Sequence, residues 1–356
     1  MTTSKPRPAF HPLRVARVDR LTDDAAAVTF DVPADLAATF EFRPGQSLTL
    51  RRTDRGDERR DYSICAPAGE RLRIGVREVP GGLFSSWLVH DVRAGDEIEV
   101  LPPAGRFTAD LSTPGAHVFV VAGSGITPAL SLASTVLADG ASTVTLFYGN
   151  RRTDTVMFAD DLADLKDRYG PRLTLVHVLS REPRDTEVTS GRLDGPRLRM
   201  LVRALVDVDA VAHWWLCGPH GLVTAAREVL ADLGVGKERV HQELFYVDEI
   251  PPEPVRGDAA TVTGPSSEVT VVLDGRATPL TLPRDVPVLD AAQRVRADLP
   301  FACKGGVCGT CRAKVTAGSV TMRRNYALED DEIAAGYVLT CQSLPVTDAV
   351  TVDYDQ

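Results

Sequence analysis

The sequence has few cysteines, no long apolar run and no excess of basic residues, and each shortage excludes a class of protein. Six cysteines among 356 residues, with no apolar leader at the start, disfavour a secreted disulfide-bonded scaffold. No stretch approaches the ~18 uninterrupted apolar residues of a membrane-spanning helix. We therefore expect a cytoplasmic protein that has no membrane partner.

Acidic residues outnumber basic ones. With 49 Asp and Glu against 40 Lys and Arg, the formal net charge is −9 at pH 7. A general nucleic-acid binder needs the opposite balance, so we expect no nucleic-acid partner. At about 150 residues per domain, the length indicates two or three domains.

Four of the six cysteines lie near the C-terminus in a defined spacing. Cys303, Cys308 and Cys311 form a C-x4-C-x2-C pattern, and Cys341 follows after 29 further residues. Structural zinc favours two C-x2-C pairs or a mixture of cysteine and histidine, and this stretch has one such pair and no nearby histidine. The spacing is that of the plant-type [2Fe–2S] ligand set, so we predict that these four thiolates hold such a cluster.

The glycines between these cysteines fit the same interpretation. A loop that wraps a cluster turns backbone N–H groups toward the sulfurs and needs positive φ angles. We expect Gly305, Gly306 and Gly309 to provide those angles.

The cysteine loop belongs to a small C-terminal domain. Residues 248–266, rich in proline, glycine and serine, are predicted to be a linker, and residues 267–356 a β-grasp-like α+β domain. Its predicted elements are a hairpin that turns at Asp274-Gly275, a helix in "VPVLDAAQRVRADLP" ended by Pro300, a strand "RAKVTAG" and a short acidic helix "LEDDEIAAG".

The chain before the linker shows two patterns of predicted secondary structure. Residues 10–112 alternate short strands and turns every ~8–12 residues, which predicts an antiparallel β-barrel. Residues 113–247 alternate strands and helices, which predicts a doubly wound α/β domain with a parallel sheet. The predicted fold class is therefore multidomain.

The α/β domain begins with "VFVVAGSGITP", an apolar strand that leads into a Gly-x-Gly turn at Gly123 and Gly125. At the start of a parallel domain such a turn places a dinucleotide pyrophosphate on a helix N-terminus. A plain tight turn is the alternative, because any strand-to-helix connection uses glycines.

The residues after the next two strands bear on nucleotide choice. An NAD site usually offers an acid at the end of the second strand, but "YGNRRTD" has Asn150, Arg151 and Arg152 there. Ser180 and Arg181 follow the third strand. Arginines that bind a 2′-phosphate favour NADPH over NADH. The alternative is that these arginines are solvated surface charges with no ligand.

Two stretches of the barrel carry further candidate residues. "RRDYSICAP" contains Tyr62 and Ser63 on a strand, and taken alone this pair indicates no more than a cross-strand aromatic with a neighbouring hydroxyl. "VPGGLFSSWL" places a glycine pair before two serines at a helix start, a possible phosphate-binding turn.

Taken together, these motifs resemble the ferredoxin–NADP reductase superfamily, with a plant-type ferredoxin domain added at the C-terminus. For FAD, the resemblance implies that the arginine of the Arg-x-Tyr-Ser motif binds the pyrophosphate, the tyrosine stacks on the isoalloxazine and the serine hydroxyl bonds N5. The matching residues are Arg60, Tyr62 and Ser63, with a second phosphate loop at Gly82, Leu83, Phe84 and Ser85.

For the nucleotide, the resemblance implies a first turn followed by a Cys-Gly-x motif beside the nicotinamide. It also implies an acid and an aromatic next to the flavin. The matching residues are Gly123, Ser124, Gly125, Thr127 and Pro128 in the turn, Cys217, Gly218 and Pro219 in the motif, and Glu243 and Phe245.

Within the superfamily, the cysteine loop and the "NYALEDDE" segment resemble the reductase subunits of phenylacetyl-CoA epoxidases. This implies electron flow from NADPH through FAD and [2Fe–2S] to a diiron oxygenase of phenylacetate degradation, with Tyr62, Ser63, Cys217 and Glu243 as catalytic residues. One alternative is an NADH-dependent reductase of a steroid or aromatic-ring hydroxylase. Another is a non-catalytic electron carrier.

Overall fold

The computed structural model describes residues 9–54, 57–183, 186–246 and 264–356. The described residues form two compact units, one before and one after the predicted linker, and each is treated by itself. Most of that linker lies outside the described residues. Within the described ranges, no helix is long and apolar enough to cross a membrane.

The chain begins with six strands in one antiparallel sheet, in the order β4-β3-β6-β1-β2-β5. A bridge between Ile64 and Ile74 joins the two edges and closes the sheet into a barrel. The strands are β1 His11–Thr22, β2 Ala25–Asp31, β3 Ser47–Arg52, β4 Glu58–Ser63, β5 Arg73–Arg77 and β6 Glu97–Val100, and helix α1 spans Leu83–Ser86 between β5 and β6. Alternate strand residues fill the apolar interior.

A five-stranded parallel sheet follows, in the order β11-β10-β7-β8-β9. Its strands are β7 Ala116–Ala122, β8 Thr143–Asn150, β9 Leu173–Leu179, β10 Val211–Pro219 and β11 Val240–Tyr246, and its helices are α2 Ile126–Ala138, α3 Ala159–Tyr169, α4 Gly195–Leu205 and α5 His220–Asp232. Helices α2 and α3 pack on one face and α4 and α5 on the other. The strand order reverses between β7 and β10, which creates the crevice where doubly wound sheets bind ligands.

The barrel and the parallel sheet share a tight contact within the first unit. A Cβ added at Gly75 on β5 would lie 2.4 Å from Thr127 Cγ2 and 2.8 Å from the Phe158 ring. Arg73, also on β5, pairs with Asp161 of α3 at 2.7 Å. These contacts hold the two parts in one fixed relation.

The C-terminal unit is a mixed five-stranded sheet, in the order β13-β12-β18-β14-β16, with a separate pair of strands β15-β17. Strands β12 and β18 run parallel, and β12 forms an antiparallel hairpin with β13. The strands are β12 Ser266–Leu273, β13 Arg276–Pro283, β14 Arg312–Ala317, β15 Val320–Met322, β16 Tyr337–Leu339, β17 Ser343–Pro345 and β18 Ala349–Asp353, and the helices are α6 Val288–Ala292 and α7 Asp330–Ala334.

The three predicted fold types are confirmed: an antiparallel barrel, a doubly wound sheet and an α+β ferredoxin-like unit. The predicted hairpin is confirmed too, since Asp274 and Gly275 have φ angles of 54° and 69°. The helix expected to run to Pro300 is wrong, because it ends at Ala292. Beyond it the chain coils so that the Arg296 guanidinium forms a fork with Asp298.

Candidate functional site

The Gly-x-Gly turn lies at the switch point of the parallel sheet, against the end of β10. A Cβ at Gly125 would lie 2.3 Å from the Cys217 carbonyl oxygen, and one at Gly218 would lie 3.2 Å from the Ala122 backbone nitrogen. Only glycine allows the two backbones to approach so closely. Their contact shapes the crevice in which a dinucleotide pyrophosphate binds.

The turn is held from behind by residues that point away from the crevice. Thr127 is fully buried and donates its hydroxyl to the Ser124 carbonyl at 3.0 Å. Tyr148 donates its hydroxyl to the Gly123 carbonyl at 3.0 Å, and Pro128 is buried in the first turn of α2. Thr127 and Pro128 therefore support the turn, and Gly123 and Ser124 form its outer surface.

The four residues expected to bind the adenosine end do meet at the carboxyl ends of β8 and β9. The Ser180 backbone N–H donates to the Asn150 carbonyl at 2.9 Å, and that of Arg181 donates to the Arg151 carbonyl at 2.8 Å. Asn150 is 7% exposed, and its side chain interacts with that of Tyr148, which also holds the Gly123 carbonyl. Asn150 therefore links this edge of the sheet to the Gly-x-Gly turn.

Sequence reasoning missed an acid at the same edge. Glu182, from the segment after β9, accepts the Thr153 backbone N–H at 2.8 Å and the Thr153 hydroxyl at 2.7 Å. It therefore anchors the turn after β8 that carries Arg151 and Arg152. The signal was present in "LSRE", but only the pairing of β8 with β9 brings this acid to the turn.

Sequence reasoning also missed Arg77, a barrel cation that reaches the nucleotide turn. Its guanidinium donates to the Thr155 carbonyl, and one terminal nitrogen lies 3.3 Å from where a Gly123 Cβ would be. Asp24 pairs with it at 3.4 Å. No motif marks this arginine, because its position depends on how the barrel meets the sheet.

The catalytic candidates on the barrel and the sheet come together. Ser63, at the end of β4, donates its hydroxyl to Glu243 of β11 at 3.3 Å, across 180 residues of chain. Glu243 is also the register partner of Cys217 on β10. Three of the four predicted catalytic residues therefore lie at one place, and Tyr62 is next to Ser63.

Burial controls the protonation of this group. Burial raises the pKa of the Glu243 carboxyl to about 8, against the hydrogen bond from Ser63 that lowers it. Burial and then the Glu243 charge raise the pKa of the Cys217 thiol well above its usual range. Both groups are therefore mainly neutral at pH 7, and Glu243 holds a proton at the base of the crevice.

Tyr62 begins a short row of aromatic rings. Its ring lies 6.0 Å from that of Phe84, which contacts Trp87 edge-on at 5.5 Å. The Arg52 guanidinium stacks 4.4 Å from the Trp87 ring. Arg60 is exposed beside this row and donates to the Arg59 carbonyl at 2.7 Å.

The second phosphate loop is a compact turn. A Cβ at Gly82 would lie 2.9 Å from both Ser85 Oγ and the Val79 carbonyl oxygen, so glycine is required there. The Ser85 hydroxyl accepts the Val79 N–H at 3.0 Å and donates to the Gly82 carbonyl at 3.2 Å. That hydroxyl is therefore engaged inside the loop, while Leu83 is 61% exposed on its outside.

The remaining aromatic candidate, Phe245, lies on β11 two residues after Glu243. It is partly buried and packs against the core between the sheet and helices α2 and α3. Its position along the strand places it on the same side of β11 as Glu243.

The cysteine loop points its sulfurs at its own backbone. Cys311 and Cys341 are buried, and Cys303 accepts the Gly305 and Cys308 backbone N–H groups at 3.3 and 3.4 Å. The Cys308 side chain and these N–H groups lower the pKa of Cys303 below its usual range. Thiolates surrounded by N–H donors are what an iron–sulfur cluster needs, so the residues fit that group.

The loop departs from expectation at one glycine. Gly306 and Gly309 have φ angles of 81° and 72°, but Gly305 is not in the left-handed region, which Lys304 adopts instead at 52°. The Lys304 ammonium is anchored to Asp290 at 2.9 Å and Gln293 at 2.7 Å. These ties to α6 and the segment after it offset the strain of a side chain at positive φ.

Three histidines form a cluster outside these sites. His117, His213 and His241 surround Trp215 on one face of the parallel sheet; the His213 and His241 rings approach at 3.0 Å, and Trp215 donates to His117 at 3.3 Å. Burial lowers the pKa of His117 and of His241 to about 4. In the described parts of the chain, no group of three or more His, Cys, Asp or Glu side chains is arranged around a single metal ion.

Two family models match the chain. One, described as an oxidoreductase NAD-binding domain, covers residues 119–228, and the other, a 2Fe-2S iron-sulfur cluster binding domain, covers residues 271–346. The second match excludes the zinc alternative for the cysteine loop. Fold and sites together define an NAD(P)H oxidoreductase that carries FAD and a [2Fe–2S] cluster.

Full-length relatives make the class more specific. The chain is 42% identical over 353 residues to one subunit of the 1,2-phenylacetyl-CoA epoxidase of Escherichia coli K12, and the match covers 97% of this chain and 98% of the relative. It is 34% identical to the ferredoxin reductase component of the 3-ketosteroid-9-alpha-monooxygenase of Rhodococcus rhodochrous, over 96% of each chain. The solved phthalate dioxygenase reductase shares the fold, with a TM-score of 0.64, 24% identity and coverage of 97% and 98% of the two chains.

The chain therefore belongs to the family of oxygenase reductase components that join flavin, nucleotide and plant-type [2Fe–2S] domains. Its activity is NAD(P)H-dependent electron transfer to the oxygenase component of a multicomponent system. This confirms the predicted family, the enzyme class and a cofactor set of FAD, [2Fe–2S] and a pyridine nucleotide, and it excludes a non-catalytic carrier.

Proposed function

We propose that the protein is the NADPH-dependent reductase component of an epoxidase that acts on phenylacetyl-CoA. The observation that carries the proposal is the meeting of Ser63, Cys217 and Glu243 at the switch point, in a chain with a separate four-cysteine loop. The partner is inferred from the relative at 42% identity, which spans nearly the whole chain.

The three cofactors have complementary chemistry. When bound, FAD accepts two electrons as a hydride from NADPH and releases them singly, and the [2Fe–2S] cluster carries one electron at a time. The first unit therefore binds and orients the hydride donor and acceptor. The cysteine loop provides the one-electron exit.

The barrel residues have separate roles in this proposal. Arg60 binds the FAD pyrophosphate together with the loop of Gly82, Leu83, Phe84 and Ser85. Tyr62 lies against the flavin ring, as its position in the aromatic row supports. Ser63 connects the flavin edge to Glu243, which holds a proton at neutral pH because burial raises its pKa to about 8.

The sheet residues position the nucleotide. The turn of Gly123, Ser124 and Gly125 binds the pyrophosphate, and Cys217 lies beside the nicotinamide with Gly218 and Pro219. Phe245 covers the flavin from β11. The buried thiol of Cys217 acts by shape, because its raised pKa keeps it from ionising.

NADPH is the proposed donor because Arg151, Ser180 and Arg181 meet at the carboxyl edge of β8 and β9. NADH, as in the proposed alternative of a steroid- or aromatic-ring hydroxylase reductase, is favoured by one observation, the Glu182 carboxylate at the same turn. That carboxylate already accepts two hydrogen bonds from Thr153. We therefore infer that it anchors the turn rather than binding a ribose hydroxyl.

The proposed domain limits are residues 10–112 for the flavin barrel, 113–247 for the nucleotide domain, 248–266 for the linker and 267–356 for the ferredoxin domain. We also propose a cytoplasmic location, which suits thiolates that hold iron.

Anaerobic spectroscopy and a reconstituted epoxidase assay test the proposal together. NADPH should bleach the flavin absorbance of the purified holoprotein, and the protein with its oxygenase should epoxidise phenylacetyl-CoA. The variant Cys308→Ser should still bleach with NADPH but should not support epoxidation. Bleaching without epoxidation by the wild type, with efficient turnover of a steroid or aromatic-ring hydroxylase instead, would overturn the choice of partner.

A further inference from the structure

Gln342 stands out as a fully buried polar side chain next to the last cluster cysteine. Its side-chain nitrogen donates to the Lys304 carbonyl at 2.8 Å and lies 3.7 Å from Cys341 Sγ, within hydrogen-bond reach of a sulfur. Its side-chain oxygen has no hydrogen-bond partner among the described residues. The nitrogen thus faces the cluster loop, and the oxygen is left unpaired.

The orientation of the amide follows from its neighbours. The Lys304 carbonyl and the Cys341 thiolate are both acceptors, so an oxygen in place of the nitrogen would face two acceptors at once. One N–H therefore points to each. Gly306 makes room for this arrangement, because a Cβ there would lie 3.1 Å from Gln342 Cγ.

The unpaired side-chain oxygen makes glutamine an unfavourable residue for this buried position. A leucine or methionine of similar size would leave no buried amide oxygen without a partner. Packing alone does not account for glutamine here. The two N–H groups of the amide, one on the Lys304 carbonyl and one toward the Cys341 sulfur, account for it.

We propose that Gln342 is a positioning residue that sets the reduction potential of the cluster by donating an N–H to Cys341 Sγ. This inference rests on the cluster held by the four cysteines. When the cluster takes up one electron, the extra negative charge spreads onto its sulfurs, and the N–H···S bond strengthens. The donor therefore favours the reduced form and raises the potential, with no proton transferred.

The same side chain fixes the geometry of the loop. Its bond to the Lys304 carbonyl holds the one non-glycine residue of the loop that adopts positive φ, at 52°. Its backbone carbonyl accepts the Arg323 N–H at 2.9 Å. Gln342 thus connects the first cysteine segment, the fourth cysteine and the segment that covers them.

The test is an EPR-monitored redox titration of the full-length holoprotein. Gln342→Met keeps the volume and removes the N–H, and it should shift the one-electron equilibrium about tenfold toward the oxidised form, a fall of about 59 mV. The matched control is Ser343→Ala, because Ser343 is equally buried but donates to the Leu339 carbonyl at 2.8 Å and not to a sulfur. The control should shift the equilibrium by less than about twofold.

An unchanged potential in Gln342→Met with full cluster content would overturn the proposal. If that variant does not retain its cluster, the hydrogen bond to the sulfur is tested directly in the wild-type protein. Glutamine labelled with 15N in its side chain should give a nitrogen coupling to the reduced cluster in pulsed EPR, and no such coupling would overturn the proposal as well. NADPH-driven flavin bleaching is read separately, so a failure here is distinct from a failure of the proposed function.

Discussion

Ser63 and Glu243 are 180 residues apart and meet through one hydrogen bond, whereas Cys303, Cys308 and Cys311 lie within nine residues of one another. The first site exists only when a barrel strand and an edge of the parallel sheet are both in place. The second needs one loop and one distant cysteine. A distributed site is therefore sensitive to the fold of the whole first unit, and a local site is sensitive mainly to its own loop.

Separating the two units gives the largest expected effect, because it removes the local cysteine site and keeps the distributed site. A fragment of residues 1 to about 250, cut within the predicted linker, should still reduce ferricyanide with NADPH, because the distributed site lies wholly within it. It should give no oxygenase-dependent epoxidation, because the cysteine loop is gone. Both rates are measured against the full chain, and epoxidation by the fragment at a near full-length rate would show that flavin feeds the oxygenase directly.

A larger residue at the switch point of the parallel sheet should disturb the distributed site and leave the cysteine loop intact. Gly125→Ala places a methyl group 2.3 Å from the Cys217 carbonyl oxygen. We expect about 2–3 kcal/mol of lost stability in denaturant unfolding and a marked fall in NADPH kcat/KM, with the cluster absorbance unchanged. The matched control is Gly221→Ala on α5, where an added Cβ meets nothing within 4 Å. Equal effects of the two substitutions would contradict the close contact.

Low pH should also affect the first unit selectively, because the cluster of His117, His213 and His241 lies there. The pKa of His117 is lowered to about 4 by burial, so below its ordinary value near 6.5 the unfolded chain binds the proton first. The His117 contribution to stability should be constant above pH 7 and should fall by about 3 kcal/mol between pH 6.5 and 4. Glu243, whose pKa burial raises to about 8, contributes in the opposite sense, so the His117 part is the difference between the wild type and a variant without this ring. Chemical denaturation at each pH measures it.

The variant His117→Asn offers an acceptor to Trp215 and does not titrate, so its acid loss should be smaller. His220→Asn, outside the cluster, serves as the control. The same change of stability with pH in the wild type and in His117→Asn would contradict burial of the neutral ring.

The smallest expected effect separates the two nucleotides. Arg181→Ala should cost NADPH roughly 1.5–3 kcal/mol in kcat/KM, as for a lost hydrogen bond to a charged group, and leave NADH nearly unchanged. Arg199→Ala on α4, whose partner is Asp232, is the matched control. Equal losses with both nucleotides would show that Arg181 does not contact the 2′-phosphate.

Local patterns were predictable from the sequence, and long-range contacts were not. The Asp274-Gly275 hairpin and the cysteine loop depend on neighbours in the chain, and both were found. The helix toward Pro300 was wrong because Arg296 turns back to pair with Asp298, a contact that no periodicity reveals. Glu182 and Arg77 were missed because only sheet pairing and the barrel contact place them at the nucleotide turn.

The contact of Gly75 with Thr127 and Phe158 has a consequence for how such proteins are recombined. A barrel from a relative with any side chain at this position would not seat on this nucleotide sheet, because the added atom would lie 2.4 Å from Thr127 Cγ2. Chimeras that exchange only the barrel or only the sheet should therefore misfit at this seam. The barrel and the parallel sheet are therefore best exchanged together, as one piece that keeps this contact.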